Sequence, residues 1–196
     1  MNDCLLCGAT LQQQTQWSML FQKFQRVICT RCHQQFEPIG ETLSIQPDLD
    51  VYCLYRYNEK MIDYLHRYKF MHDVVLAKVF RTELNRTLRG HTVVPVPMHP
   101  QKLKERTFSH IDCLLQAAQI SYIPLLTKTT LETQGTKTRE ERLQTTQFFA
   151  VNGEVFNKSY TLFDDIVTTG TTLKHAKQLL LQAGAREVHC IALIKA

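Results

Sequence analysis

Apolar and polar positions follow two periods along most of this chain, and these periods predict its elements. From residue 58 to 70 apolar side chains recur with a helical period behind Asn58, a residue that caps helices well. The same period returns over 75–88, 111–118 and 173–183. Short apolar runs predict strands at 51–57, 92–97, 125–126, 160–163 and 188–194, and residues 148–151 restore apolar character after a polar insertion. Because strands alternate with helices from residue 51 onward, the pattern predicts a mostly parallel sheet flanked by helices.

Two segments break these periods and are rich in polar residues. Residues 37–50, with Pro38, Gly40 and Pro47, are typical of a linker. Residues 127–146 hold very few apolar side chains, and such an insertion between core elements is usually a mobile functional loop or a disordered segment. The pattern predicts two domains, a small one over residues 1–40 and a larger one over residues 51–196.

The small N-terminal domain contains two Cys-x-x-Cys pairs. Cys4 and Cys7 form the first pair, and Cys29 and Cys32 form the second. Each pair fits a tight knuckle, and two knuckles bring four thiolates to the tetrahedral arrangement that a structural Zn²⁺ needs. The spacing therefore predicts a zinc ribbon.

Three other interpretations of these cysteines are weaker. Disulfides require an oxidising compartment, and a redox-active pair requires thioredoxin-like surroundings that this sequence lacks. Cys29 to His33 also spells the haem c attachment motif, but haem attachment requires export and leaves the other pair unexplained. Three further cysteines lie in predicted core elements and are interpreted as packing residues: Cys53, Cys113 and Cys190.

The most informative stretch lies near the C-terminal end. An apolar run at 160–163 stops at Asp164 and Asp165, and a turn of four threonines around Gly170 leads into a helical pattern. Backbone N–H groups at a helix start point at one place, glycine permits close approach, and threonine hydroxyls add donors. Such a cup suits a phosphate, and the two carboxylates beside it suit sugar hydroxyls or a ligand-borne Mg²⁺.

An ordinary strand-to-helix turn, with capping threonines and solvated aspartates, is the competing interpretation of this stretch. Both aspartates directly follow the predicted apolar strand, and this position favours the interpretation of the stretch as a ligand site. The stretch is not a Walker loop, because the spaced glycine and the Gly-Lys-Thr sequence are absent.

Basic residues cluster in two polar segments. The first follows the proline-stiffened loop at 95–97, and the second lies in the insertion at 127–146. Charge alone is compatible with a solvated surface, but the position after a predicted strand favours a role facing an anion. The residues expected to face a nucleic acid or a pyrophosphate are Lys102, Lys104, Arg106, Lys137, Arg139 and Arg142.

Composition narrows the class of protein further. The 196-residue chain is 44% hydrophobic and 21% charged, and its formal net charge of +5 permits anionic partners without identifying them. No basic, apolar leader follows Met1, and no apolar run reaches membrane-spanning length. We therefore expect a cytoplasmic protein with reduced cysteines and no membrane insertion.

In combination, these motifs resemble the ComF-type competence protein family over nearly the whole chain. The resemblance depends on the four N-terminal cysteines, the loop at 95–99 and the stretch at 164–172. It also depends on residues between them, namely Lys102, Arg106, Phe108, Thr133, Gln134, Arg139, Arg142 and Phe148. Thr107 and Ser109 depart from the family pattern, which usually has Gly and Asn at these positions.

This resemblance implies a type I phosphoribosyltransferase-like α/β fold, with a mostly parallel sheet flanked by helices and a small N-terminal zinc ribbon. In phosphoribosyltransferases the turn holds the 5′-phosphate of phosphoribosyl pyrophosphate (PRPP), and the acidic pair holds the ribose hydroxyls. The resemblance therefore implies that Asp164 and Asp165 contact the ribose. The residues implied around the phosphate are Thr168, Thr169, Gly170, Thr171 and Thr172. Zinc is expected as a structural metal, and Mg²⁺ only with bound PRPP.

The resemblance also implies a role in natural transformation. The expected function is the handling of incoming single-stranded DNA beside the competence helicase ComFA, with a site for PRPP or a related sugar phosphate. It identifies neither a reaction nor a catalytic residue. The alternatives are an active phosphoribosyltransferase and a regulator that senses PRPP.

Overall fold

The computed structural model describes residues 3–11, 23–128 and 149–196. Its helices are α1 (Thr30–His33), α2 (Glu59–Phe70), α3 (Arg81–Leu88), α4 (Pro100–Arg106), α5 (His110–Ala117) and α6 (Thr171–Gln182), and Val74–Lys78 is a 3₁₀ turn. Its strands are β1 (Pro38–Gln46), β2 (Leu49–Arg56), β3 (Val93–Pro95), β4 (Leu126–Lys128), β5 (Phe149–Val151), β6 (Ser159–Val167) and β7 (Glu187–Lys195). None of the helices in these ranges is long and apolar enough to cross a lipid bilayer.

A five-stranded sheet in the order β1-β2-β7-β6-β3 forms the centre of the described part of the chain. Strands β2, β7, β6 and β3 run parallel, whereas β1 is antiparallel to β2. Strands β4 and β5 form a separate antiparallel pair. The prediction of a mostly parallel sheet flanked by helices is confirmed. Pro95 on β3 lies opposite Phe163 on β6, so the segments that follow these two strands leave the sheet at the same edge.

Helix α2 begins and ends where its sequence predicts. The Asn58 side chain accepts a hydrogen bond from the Met61 backbone N–H at 3.0 Å and so caps the helix. The apolar stripe that includes Met61, Tyr64 and Tyr68 is buried. The same buried face carries Lys69, a charged residue that needs a partner inside the protein.

The single helix predicted over 75–88 is divided in two. Its first part is the 3₁₀ turn, and α3 follows it. The tighter period of the 3₁₀ turn brings Val75 to the surface, where 46% of it is exposed, while Leu76 remains buried. The prediction of one continuous apolar stripe is therefore wrong at its first turn.

Residues 37–50, predicted to be a linker, instead form β1 and a tight turn into β2. Pro38 begins the strand, and Gly40, with φ +65°, lies at a register irregularity between Pro38 and Glu41. Asp48, with φ +65°, lies in the turn between the strands. The proline and glycine signals mark a bulge and a turn within a strand pair, so the linker prediction is wrong.

The cysteine-rich segment and the sheet share one hydrophobic core. Phe36, just after α1, is 3% exposed, and its ring lies edge-on to the Phe80 ring at a centroid distance of 4.9 Å. The same ring lies 6.2 Å from those of Tyr55 and Tyr64. Aromatic packing of this kind connects the N-terminal segment to β2, α2 and the start of α3.

The three cysteines outside the N-terminal pairs lie in core elements, as predicted. Cys53 on β2 and Cys190 on β7 are buried, and Cys113 on α5 is half-buried. Burial raises the pKa of both the Cys53 and the Cys190 thiol to about 11. Both thiols therefore stay protonated at neutral pH and act as packing residues.

Candidate functional site

The acidic pair and the threonine-rich turn lie where β6 ends and α6 begins. Asp164 and Asp165 are in the last part of β6, and α6 starts at Thr171 directly after Gly170. Gly170 has φ +76°, a left-handed conformation that favours glycine. Because β6 lies between β7 and β3, the turn is at the carboxyl edge of the parallel strands, where open α/β sheets bind ligands.

The threonine side chains of this turn face solvent. Thr168, Thr169, Thr171 and Thr172 are all exposed, and Thr169 Oγ1 lies 3.1 Å from Thr171 Oγ1. The first backbone N–H groups of a helix have no partner within the helix. Hydroxyl and backbone donors are thus both available at this helix start, and an oxyanion such as phosphate matches them.

The buried side of the turn packs against the strand pair β1 and β2. A Cβ atom on Gly170 would lie 2.6 Å from Leu49 Cδ2 and 2.9 Å from Ile45 Cγ2, so only glycine fits without displacing them. The Gln46 side-chain amide donates a hydrogen bond to the Thr169 carbonyl. The strand pair therefore fixes the turn backbone while the threonine side chains stay accessible.

The two aspartates have opposite surroundings. Asp165 is 4% exposed, its Oδ2 forms an ion pair with Lys69 Nζ, and the same oxygen lies 3.2 Å from His110 Nε2. Asp164 is half-buried, and its Oδ1 accepts a hydrogen bond from the Asp165 backbone N–H at 2.9 Å. Of the two residues expected to contact ribose, Asp164 has the more accessible carboxylate, and the Asp165 carboxylate is engaged inside the protein.

The pKa values of the two aspartates shift in opposite directions. Burial and the neighbouring Asp165 carboxylate raise the pKa of Asp164 well above its usual range. Burial also disfavours ionised Asp165, but Lys69 and His110 outweigh it and hold the pKa of Asp165 well below its usual range. Asp165 is therefore a fixed negative charge, whereas ionised Asp164 gains stabilisation from a ligand that brings a cation or a hydroxyl donor.

Arg106, one of the predicted anion-facing residues, is connected to Asp165 through His110. Arg106 Nη1 lies 3.2 Å from His110 Nδ1, and its guanidinium lies 5.4 Å from the centroid of the Phe70 ring. His110 contacts Asp165 with its other ring nitrogen. The basic helix α4 is thus linked to the acidic pair by a short chain of polar contacts.

The other basic residues near the site are not part of the polar chain that links Arg106 to Asp165. Lys102 and Lys104 are exposed on α4. Burial and the charge of Lys102 lower the pKa of Lys128 on β4, and Asp164 opposes that change, so Lys128 lies within electrostatic range of both. The predicted residues that lie outside the described part of the chain are Lys137, Arg139 and Arg142.

Sequence analysis missed three residues of this region, Lys69, His110 and Lys128. Lys69 had a usable signal, because it follows Leu65 by one helical turn on an apolar face. A charged residue on such a face needs a buried partner. No local signal identified His110 as the second partner of Asp165, because the contact joins residues far apart in the sequence.

The four cysteines predicted to bind zinc come together in space. The Sγ atoms of Cys4, Cys7, Cys29 and Cys32 all lie within 4.8 Å of one another. The Cys7 and Cys29 sulfurs are 3.7 Å apart, and none of the four is in a disulfide. Tetrahedral zinc bonds of about 2.3 Å place ligand sulfurs roughly 3.8 Å apart, so the cluster fits a metal such as zinc.

The ionisation of these thiols also favours a bound cation. Burial opposes ionisation of Cys4, but hydrogen bonds from the backbone N–H groups of Cys29, Cys7 and Leu6 lower its pKa to about 6. Burial and the adjacent thiols raise the pKa of Cys32. Four thiolates this close repel one another, and Zn²⁺ held by all four would supply the compensating charge and stabilise the fold of this segment.

Comparison with known proteins gives a domain match and full-length relatives. Residues 127–196 match the family model of the phosphoribosyl transferase domain. The chain is 33% identical to Competence protein ComFC of Streptococcus pneumoniae, over 98% of this chain and 99% of the relative. It is 27% identical to Competence protein ComFC of Bacillus subtilis, over 98% and 94%. It is 25% identical to Competence protein F of Haemophilus influenzae, over 80% and 78%.

Among solved structures, the chain is similar to a hypoxanthine phosphoribosyltransferase from Staphylococcus aureus. The similarity covers 62% of this chain and 62% of that chain, at 17% identity and a TM-score of 0.37. The domain match at 127–196 includes β6, the acidic pair and the threonine-rich turn. It agrees with the phosphoribosyltransferase-like fold expected from the sequence.

Proposed function

The chain belongs to the ComFC family of competence proteins, and on this basis we propose that it handles incoming single-stranded DNA during natural transformation. In this proposal it works in the cytoplasm beside the competence helicase ComFA. Its phosphoribosyltransferase-like domain binds PRPP or a related sugar phosphate. The observation that carries the proposal is the 33% identity to a competence protein over 98% of the chain.

The sugar-phosphate site of this proposal is the threonine-rich turn with the acidic pair. The ligand's phosphate contacts residues 168–172, and the accessible Asp164 contacts the ribose hydroxyls. Asp165 fixes the end of β6, and it contacts the ribose directly only when Lys69 and His110 release its carboxylate. Mg²⁺ bound to PRPP would neutralise part of the pyrophosphate charge, and Asp164 would be the carboxylate available to it.

The basic residues near this site face phosphates in the proposal. Among the described residues of this set, Arg106 is linked to the acidic pair through His110 and is the candidate for a pyrophosphate contact. The exposed lysines on α4 can contact the phosphates of a DNA strand, because phosphate contacts depend on charge and not on the identity of the bases. The residues in this role are Lys102, Lys104, Arg106, Lys137, Arg139 and Arg142.

A titration of labelled single-stranded DNA into the zinc-loaded protein tests this proposal. We expect binding at low salt that weakens steadily as salt rises, because bound phosphates release counterions. The titration is repeated with duplex DNA and with Mg²⁺–PRPP present. Failure to bind single-stranded DNA at low salt would overturn the DNA-handling function. A PRPP-dependent change in DNA affinity would identify a PRPP-sensing regulator, and DNA must then change PRPP affinity by the same factor.

An active phosphoribosyltransferase is the second candidate, favoured by the domain match over residues 127–196. Pyrophosphate departure from PRPP leaves positive charge on the anomeric carbon, and cations near the pyrophosphate would stabilise its departure. Assays of pyrophosphate release with each common base distinguish this candidate. Release with any base would establish the activity, and measurable PRPP binding without release would eliminate it.

A further inference from the structure

A cleft separate from the acidic pair lies between residues 23–28 and helix α3. We call it the ribbon–α3 cleft, and its volume is about 620 Å³. One wall is formed by residues 23–28 and α1, and the other wall by the end of the 3₁₀ turn and by α3. It shares no lining residue with the acidic pair or the threonine-rich turn. Its cationic lining residues are Lys23, Arg26, Lys78, Arg81, Arg86 and Arg89.

These six cations face little opposing charge. Among the described residues that line the cleft, Glu83 is the only carboxylate, and its Oε1 lies 3.5 Å from His33 Nε2. Within the described ranges, none of the six cations forms an ion pair with a carboxylate. A concave surface with one sign of unpaired charge focuses the electrostatic field and attracts polyanions.

The two walls of the cleft hold each other in place. The Arg81 guanidinium lies 5.1 Å from the centroid of the Phe24 ring, and Arg81 also donates a hydrogen bond to the Gln25 carbonyl. Lys23 Nζ lies 5.3 Å from the same ring, which is 9% exposed. Because these contacts hold Arg81 and Lys23 in place before any ligand arrives, their binding to a ligand loses less side-chain entropy.

The cations on the α3 side are spread along the helix and the residue that follows it. Arg81, Arg86 and Arg89 line the same cleft, and a rise of 1.5 Å per residue separates Arg81 from Arg89 by about 12 Å along the axis. A single phosphate needs only one part of this cationic surface, whereas a polymer with regularly spaced phosphates uses all of it. Phe24 is the one Phe, Tyr or Trp in the described lining and is already covered, so base stacking adds nothing.

We propose that the ribbon–α3 cleft binds the phosphate backbone of a single-stranded nucleic acid without base preference. This inference rests on the proposed function, and it gives the incoming strand a path that is separate from the sugar-phosphate site. A flexible single strand can enter a concave cleft of this size. The phosphates of a stiff duplex reach only its rim, so a duplex binds more weakly.

The test compares two double variants of the full-length, zinc-loaded protein. Arg86→Ala/Arg89→Ala removes two cations from the cleft, and Arg56→Ala/Arg186→Ala removes two exposed arginines elsewhere. Fluorescence anisotropy measures the binding of labelled oligothymidylate at several salt concentrations. We expect the cleft variant to lose affinity by on the order of tenfold at low salt. Its slope of log K against log salt becomes shallower by about 1.4, because each lost phosphate contact removes about 0.7.

The control variant separates this effect from net charge. We expect its affinity to stay within about twofold of the wild type, with an unchanged salt slope. Equal affinities and slopes for the two double variants would overturn the cleft proposal, while wild-type binding would still support the proposed function. Absence of wild-type binding would overturn both. Preferential binding of polyglutamate, lost in the cleft variant, would assign the cleft to an acidic peptide and overturn the nucleic-acid proposal.

Zinc content and the thermal transition show whether the cleft variant is folded. If Arg86→Ala/Arg89→Ala loses its zinc or its thermal transition, the test is repeated with Lys23→Ala/Lys78→Ala, which replaces two other lining residues. We expect the same shallower slope for this variant. A wild-type slope in this second variant, once it is folded, would overturn the proposal.

Discussion

Asp164 and Asp165 are adjacent in the sequence, yet their surroundings give them different tasks. Asp165 is buried, where Lys69 forms an ion pair with it and His110 contacts it. Asp164 remains partly accessible and lies beside the threonine-rich turn. At the residue scale, one carboxylate therefore stabilises the site and the other is available to a ligand.

Replacing Asp165 should destabilise the fold strongly. Asp165→Asn leaves Lys69 buried without its anion, and the loss of one partner from a buried ion pair costs about 3 kcal/mol. The folded-state pKa of Asp165 is depressed, so its stabilisation is present above the unfolded carboxyl pKa and is lost as pH falls through the folded value. Urea denaturation should therefore show a large difference from wild type at neutral pH and a smaller one in strong acid. An equal stability at neutral pH would contradict the ion pair.

Replacing Asp164 should have the opposite effect on stability. Its folded-state pKa is raised, so stability is lost as pH rises above the unfolded carboxyl pKa of about 4, because the unfolded chain releases a proton that the folded chain keeps. Asp164→Asn removes that cost, and the variant should be more stable than wild type at neutral pH but not at pH values below about 4. Asp63→Asn, at an exposed position on α2, serves as the control in the same denaturation series. A loss of stability at neutral pH in Asp164→Asn would contradict the raised pKa.

At the scale of elements, the antiparallel pair β1 and β2 supports the turn between β6 and α6. Ile45 and Leu49 pack against Gly170, and Lys174 Nζ on α6 donates a hydrogen bond to the Pro47 carbonyl at 3.0 Å. The support comes from residues near the turn between β1 and β2. The shape of the threonine-rich turn therefore depends on a strand pair that lies far from it in the sequence.

A methyl group at Gly170 should disturb this contact. Gly170→Ala adds backbone strain at positive φ and a clash with Leu49 and Ile45, which together should cost about 3 kcal/mol. The matched control is Gly90→Ala, since Gly90 has φ +88° but nothing within 4 Å of an added Cβ. The control should lose only about 1 kcal/mol through strain, as thermal denaturation can measure. Equal losses in the two variants would show that the packing against β1 and β2 has no energetic role.

Elements with a strong local period were predictable from the sequence. Helix α2 has its cap at Asn58, and β6 has its apolar run before the acidic pair. Strand β1 was not predictable from local signals, because Pro38 and Gly40 carry the same signature in a bulged edge strand as in a linker. The partners of Asp165 were missed because ion pairs between distant segments leave no trace in a local period.

At the scale of the whole molecule, the four-cysteine segment is part of the same core as the sheet. Cys4 and Cys32 are each 3% exposed, and Phe36 continues their packing toward Phe80. Arg67 on α2 also donates hydrogen bonds to backbone carbonyls of the first cysteine knuckle, at 2.9 and 3.1 Å. A structural metal in this segment would therefore stabilise more than the segment itself.

Loss of one metal ligand should lower stability while leaving the sugar-phosphate site able to bind. Cys29→Ser should abolish stoichiometric zinc, measured by mass spectrometry of the purified protein, and lower the melting temperature. Cys113→Ser, at a half-buried position outside the cluster, should keep its zinc. We expect PRPP affinity within about twofold of wild type for both variants at temperatures where they are folded. Full zinc occupancy in Cys29→Ser would contradict the four-cysteine centre.

The sugar-phosphate site is tested most directly by calorimetric titration of Mg²⁺–PRPP into the zinc-loaded protein. The wild type should bind one molecule per chain, and Asp164→Asn should bind on the order of tenfold more weakly, since it loses a charge-assisted hydrogen bond worth about 1.4 kcal/mol. Asp63→Asn should match the wild type. Absence of saturable binding by the wild type, or an unchanged affinity in Asp164→Asn, would contradict a ligand site at this turn.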